Sequence, residues 1–121
     1  MKVAIAGAGT MGAGIAQVAA SAGHEVILFD INDKVVTSAE HGLKSTLEKL
    51  VSRGKFAPSF AENIIKRITF TSDFNLIAGS SLVIEAIIED ATIKRELFTA
   101  IEELVSEDTL IASNTSSLSI A

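Results

Sequence analysis

The sequence has no cysteine, no tryptophan, no tyrosine, one proline and two histidines in 121 residues. Without cysteine there is neither a disulfide nor thiolate chemistry, a composition compatible with a reducing cytoplasm. No apolar run is long enough to span a bilayer, and the chain opens on a strand leading into a glycine turn, not on a signal peptide. The expectation is a soluble, cytoplasmic protein with no membrane partner. Basic residues are in deficit, ten against fifteen acidic ones for a net charge of −5. That balance argues against a nucleic acid held by bulk electrostatics. The length fits one domain, 1–121, with room for a real core.

What the sequence does have is an organised start. Val3-Ala4-Ile5-Ala6 runs into Gly7-Ala8-Gly9-Thr10-Met11-Gly12, a helical stretch carrying Ile15, Ala16 and Ala19 follows, and Val26-Ile27-Leu28-Phe29 ends on Asp30. Read as strand, tight turn, helix and strand, this is a dinucleotide-binding βαβ unit. Gly7 turns the chain off the strand, Gly9 lets backbone approach a pyrophosphate, and Gly12 lets the helix pack closely. The phosphates would sit at the positive end of that helix. Asp30, eighteen residues past Gly12, stands where an acid binds both hydroxyls of the adenosine ribose. Its charge would repel a 2′-phosphate, and Ile31-Asn32 offers no arginine to welcome one, so NAD is favoured over NADP.

Beyond Asp30, apolar spacing predicts a helix from Asn32 or Asp33 to Ser52, ended by Arg53-Gly54-Lys55. Pro58 opens a shorter helix through Ile65, and a strand follows at Ile68 to Phe70. The 37 residues between Asp30 and Ile68 exceed what a parallel crossover needs, so a helical arm is inserted between strands 2 and 3. Six of the ten basic residues fall between Lys44 and Arg67 against Glu48 and Glu62, which suggests a local anionic ligand. Thr71 or Ser72 would cap a short helix ending at Gly79. A strand at Leu82 to Ala86, a helix from Thr92 to Val105 and a strand at Thr109 to Ala112 complete an α/β, Rossmann-type, doubly wound parallel sheet.

Ligands of such sheets bind beyond the carboxyl ends of the strands. Those ends carry Gly7 to Gly12, Asp30, Ala86 to Asp90 and Ser113 to Ser117, a region with few candidate bases. His24 falls in the turn before the second strand and His41 on the long helix, and neither looks like a general base. Glu85 or Glu89 could reach a cofactor, or Glu85 could be a structural acid. Lys94, in the first turn of its helix, is either a ligand contact or a solvated lysine. Ser116 or Ser117 either donates to a substrate oxygen or caps a following helix. There is no metal-ligand cluster.

Gly7-Ala8-Gly9-Thr10-Met11-Gly12, the run Val83 to Asp90 and Ser113-Asn114-Thr115-Ser116-Ser117-Leu118 resemble the N-terminal domain of L-3-hydroxyacyl-CoA dehydrogenases, especially bacterial 3-hydroxybutyryl-CoA dehydrogenases. The resemblance covers essentially the whole chain. It implies that Gly7, Ala8, Gly9, Thr10, Met11 and Gly12 hold the NAD pyrophosphate and Asp30 the adenosine ribose. It also implies that Glu89 and Lys94 contact the cofactor, and that Ser116 contacts substrate and nicotinamide. Thr46 and Arg53 fall near positions that contact coenzyme A, where the family usually has serine and lysine.

Family members continue past the position of Ser116 with a histidine in a His-Phe-Phe-Asn-Pro-like motif, its glutamate partner, and a helical domain that dimerises and closes over the acyl chain. These lie outside the 121 residues, so the resemblance implies the NAD-binding part of an oxidoreductase without its general base. The expectation is a chain that binds NAD(H) and turns over negligibly, from an enzyme that interconverts an L-3-hydroxyacyl-CoA and the 3-ketoacyl-CoA as a homodimer. Two other readings stay open: a stand-alone NAD(H)-sensing module, and a related dehydrogenase of a free hydroxy acid.

Overall fold

All strands run in the same direction, as strands joined by helical crossovers must. The computed structural model describes residues 1–86 and 91–113, with side chains for 1–86 and 95–112. The strands are β1 (Lys2–Ala6), β2 (Glu25–Phe29), β3 (Ile68–Thr71), β4 (Leu82–Glu85) and β5 (Leu110–Ser113), in the order β3-β2-β1-β4-β5. Helices cover both faces, so the central strands are apolar at nearly every position rather than alternating. Val3, Ile5, Val26 and Leu28 pack under α1 (Thr10–Ser21), α2 (Asp33–Ser52) and α3 (Pro58–Arg67). Ala4, Ala6, Ile27, Phe29 and Val83 pack under a 3-10 turn (Phe74–Gly79) and α4 (Ala91–Leu104). Among the described residues no helix is long and apolar enough to cross a membrane.

The segment inserted between β2 and β3 is docked on the body rather than projecting from it. Val36, Ala39, Leu43 and Leu47, spaced three or four apart, are the buried side of α2, and Ala61 and Ile64 are that of α3. Helix α3 runs to Arg67, two residues beyond the expected Ile65, and this extension has a use. The Arg67 guanidinium donates to the Ala20 carbonyl (2.8 Å) in the last turn of α1, which has no basic residue of its own. A cation there offsets the negative end of the helix.

One expected cap is corrected. The 3-10 turn is capped by Asp73, whose carboxylate accepts from the Asn75 N–H (3.0 Å), and not by Thr71 or Ser72. Thr71 is still paired with Phe29 in the sheet, and its hydroxyl accepts from the Asp73 N–H.

The sheet reverses its winding between β1 and β4. From β1 the chain moves outward to β2 and β3, then crosses back to β4 on the other side of β1. The crevice of a doubly wound sheet opens at that reversal, beyond the carboxyl ends of the two strands. The residues immediately past them are Gly7 and Ala86.

Candidate functional site

The glycine loop is built by two contacts. Gly7 leaves β1 with φ of 119°, and its N–H donates to the Phe29 carbonyl at 2.7 Å, tying the end of β1 to the end of β2. A Cβ at Gly12 would stand 1.8 Å from the Gly7 carbonyl oxygen. Gly12 therefore seats the first turn of α1 directly on the loop, which is closer than its expected role of packing on the sheet. Gly9 is the N-cap of α1, with no side-chain cap, and a Cβ there would meet nothing within 4 Å among the described residues. One glycine is packed solid and the other faces open space.

Asp30 closes the loop from the side. One carboxylate oxygen accepts from the Ala8 N–H (3.0 Å) and the other from the Asn32 N–H (2.9 Å). The Asn32 side chain in turn accepts from the Lys34 N–H (2.9 Å) and caps α2. A carboxylate accepts about four hydrogen bonds, so each oxygen keeps one free site.

Between α1 and α2 lies a cleft of about 520 Å³, within the range of small-molecule sites. Ala8, Gly9 and Thr10 of the glycine loop line it, with Ala13, Gly14 and Gln17 of α1 on one wall and Val35, Ser38, Gly42 and Thr46 of α2 on the other. The structure thus brings Thr46 and the glycine loop into one cavity. The Thr46 hydroxyl donates to the Gly42 carbonyl (2.9 Å), so toward a ligand it acts as an acceptor.

Arg53 does not line the cleft, although it shares a face of α2 with Thr46. The cation that does is Lys34, which the sequence reading passed over. Its signal was available: a lysine in the first turn of a helix, where the dipole disfavours it, one turn after the acid at the end of β2. The basic character of the inserted segment is partly spent internally. Lys44 pairs with Glu40 at 3.0 Å and Arg67 with the α1 carbonyl, while Lys49, Arg53, Lys55 and Lys66 are exposed.

Neither histidine lines the cleft. His24 lies just before β2, at the end of the sheet opposite the crevice, and His41 is exposed on α2. Glu85 is fully buried at the carboxyl end of β4, beside Ala6 of β1 and Ser113 of β5. Glu89 and Ser116 lie outside the described residues, and Lys94 has only its backbone place in α4. Among the described residues no cluster of His, Asp and Glu is placed to hold a metal ion.

The family described as 3-hydroxyacyl-CoA dehydrogenase, NAD binding domain, matches residues 2–121. The chain belongs to this family. The 3-hydroxyadipyl-CoA dehydrogenase of Escherichia coli K12 is 44% identical over 118 residues, which are 98% of this chain and 25% of that protein. The 3-hydroxybutyryl-CoA dehydrogenase of Clostridioides difficile is 40% identical, over 99% of this chain and 43% of that protein. The crystal structure of a 3-hydroxybutyryl-CoA dehydrogenase from E. coli K12 superposes with a TM-score of 0.94 at 43% identity, covering 99% of this chain and 25% of that one. As a member of the 3-hydroxyacyl-CoA dehydrogenases, the chain corresponds to their N-terminal NAD-binding part and spans a quarter to about two fifths of these relatives.

Proposed function

We propose that the chain is the NAD-holding part of a dehydrogenase acting on L-3-hydroxyacyl-CoA substrates, with hydride passing between C3 and the nicotinamide. The observation that carries this is the contrast within the glycine loop. Gly12 is packed solid while Gly9 faces open space, beside a carboxylate with two acceptor sites to spare. The residues present fit the cofactor: Gly9 leaves room for a pyrophosphate at the uncapped start of α1, and Asp30 can accept from two vicinal ribose hydroxyls. Bound NAD supplies the hydride acceptor for the alcohol, and NADH the donor in reverse.

In this reading Gly7 to Gly12 hold the pyrophosphate, and Asp30 orients the adenosine ribose and rejects a 2′-phosphate. Glu89 and Lys94 add cofactor contacts, and Ser116 holds the substrate oxygen near the nicotinamide. The coenzyme A portion lies along α2, with Thr46 accepting from an amide N–H of the pantetheine arm. Arg53 faces its phosphates from the C-terminal end of that helix. The hydroxyl proton goes to the histidine that the family carries beyond Ser116, since His24 and His41 lie away from the crevice. These 121 residues therefore bind without turning over.

The test is a titration of the purified chain into NADH and, in parallel, NADPH, followed by the fluorescence of the cofactor; without tryptophan or tyrosine the protein contributes little background. Saturable binding of NADH with much weaker binding of NADPH is expected. A folded chain that binds neither sinks the loop and Asp30 assignments. Oxidation of NADH by acetoacetyl-CoA at the rate of an intact dehydrogenase would refute the statement that the base lies elsewhere.

A further inference from the structure

We infer that Asp30 is a positioning residue for the glycine loop and for the start of α2, in addition to its proposed contact with the ribose. This rests on the dinucleotide reading above and extends it. The carboxylate spends one oxygen on the Ala8 N–H, twenty-two residues earlier in the chain, and the other on the Asn32 N–H. Ala8 is buried and belongs to the loop that opens at Gly9. Asn32 is the cap of α2, and through it the tether reaches Lys34. Ala8 and Lys34 both line the cleft, so one carboxylate ties the loop and, through Asn32, the start of α2 together before any ligand arrives.

The chemistry of the group makes this specific. Hydrogen bonds to an ionised acceptor are the stronger class, and only a carboxylate offers an acceptor on both atoms. In Asp30→Asn one of those atoms becomes an NH2 donor and turns against a backbone N–H, so one of the two tethers is lost whichever way the amide is oriented. The loop then samples conformations that do not present Gly9 to a phosphate, and any ligand of the loop pays to order it.

The experiment separates this role from a direct ribose contact. Wild type and Asp30→Asn are titrated with NADH and with the NADH analogue whose adenosine ribose is 2′,3′-dideoxy. If Asp30 acted on the ribose alone, the substitution would leave the affinity for the analogue unchanged. The positioning role predicts that the analogue also binds about tenfold more weakly to Asp30→Asn, one charge-assisted bond being of that order.

A second measurement needs no cofactor and stands even if the dinucleotide reading fails. In 15N-labelled ligand-free chain, the Ala8 or the Asn32 amide proton resonance should move upfield in Asp30→Asn, while Asp33→Asn, on the neighbouring exposed carboxylate, should leave that of Ala8 in place. The α1 amides from Ala13 onward should be unmoved, showing that the helix is intact. Ala8 and Asn32 resonances that both stay in place in Asp30→Asn overturn the proposal.

Discussion

Replacing Gly12 and Gly14 by alanine, two positions apart on the same helix, should have opposite effects on stability. At an ordinary helix interior, glycine to alanine stabilises by about 0.5–1 kcal/mol, because alanine loses less backbone entropy on folding. Gly14 is such a position: an added Cβ meets nothing within 4 Å. At Gly12 the same atom would lie 1.8 Å from the Gly7 oxygen and 2.9 Å from the Gly7 carbon, where 3.0 Å is the practical limit. The obstacle is backbone, so no side-chain rotation relieves it. Either the Gly7 peptide or the start of α1 must retreat by roughly an ångström, and overpacking of this kind costs about 1–3 kcal/mol or more. With the propensity gain offset, Gly12→Ala should be destabilised by about 2 kcal/mol and Gly14→Ala stabilised by up to about 1 kcal/mol. Urea unfolding followed by far-ultraviolet circular dichroism reads both, as midpoint shifts of roughly 1 M downward and a few tenths of a molar upward. If Gly12→Ala unfolds at or above the wild-type midpoint, the packing account of the loop is wrong. If both variants lose stability alike, the loss reflects intolerance of α1 to any change and not the contact at Gly7.

Gly9→Ala should separate folding from binding: its φ of −70° suits alanine and the new methyl enters open space, so the unfolding free energy stays within about 1 kcal/mol of wild type. NADH affinity in the fluorescence titration should nonetheless fall by at least tenfold, because the methyl occupies the place proposed for the pyrophosphate. Ser80, buried at 4% exposure, has a hydroxyl with no hydrogen-bond partner among the described residues, so Ser80→Ala should be neutral or stabilising by about 1 kcal/mol, and a clear loss in urea unfolding would refute that.

Much of the fold was legible because the local rules agree with one another. The apolar period of α2 fixed both its ends, since Asn32 caps it and Gly54, at φ of 72°, cannot continue it. The cap of the 3-10 turn was not legible, because Thr71, Ser72 and Asp73 are three capping residue types in a row. Sheet pairing removes Thr71 from the choice, since it is held opposite Phe29 and its hydroxyl accepts from the Asp73 N–H instead. That Arg53 lies off the cleft was not legible for a similar reason. Helical spacing says which residues share a face of α2 but not what stands opposite that face. Helix α1 has 12 residues and α2 has 20, so a cleft between them gives out before α2 does. Thr46 is the last α2 residue on the wall, and Arg53, two turns further on, has no α1 to face. Lys34, at the other end, faces the loop.

That difference in length also arranges the two ligands proposed for the chain. The crevice at the winding reversal opens past Gly7 and Ala86, while the cleft runs from Gly9 down between the helices. Gly9 and Thr10 belong to both, so a cofactor over the reversal and a second ligand along α2 share a wall instead of competing for one cavity. Asp30 stands at the junction, bonded to the loop on one side and to the cap of α2 on the other. The first ligand to bind completes the ordering of that junction, so the second pays less for it. Bound NADH should therefore tighten the binding of coenzyme A, and by linkage coenzyme A should tighten NADH by the same factor. A titration of coenzyme A followed by heat release, with and without saturating NADH, measures that factor; in Asp30→Asn, whose loop is left for the first ligand to order, it should be larger than in the wild type. Equal affinity in the presence and absence of NADH in the wild type would refute the coupling.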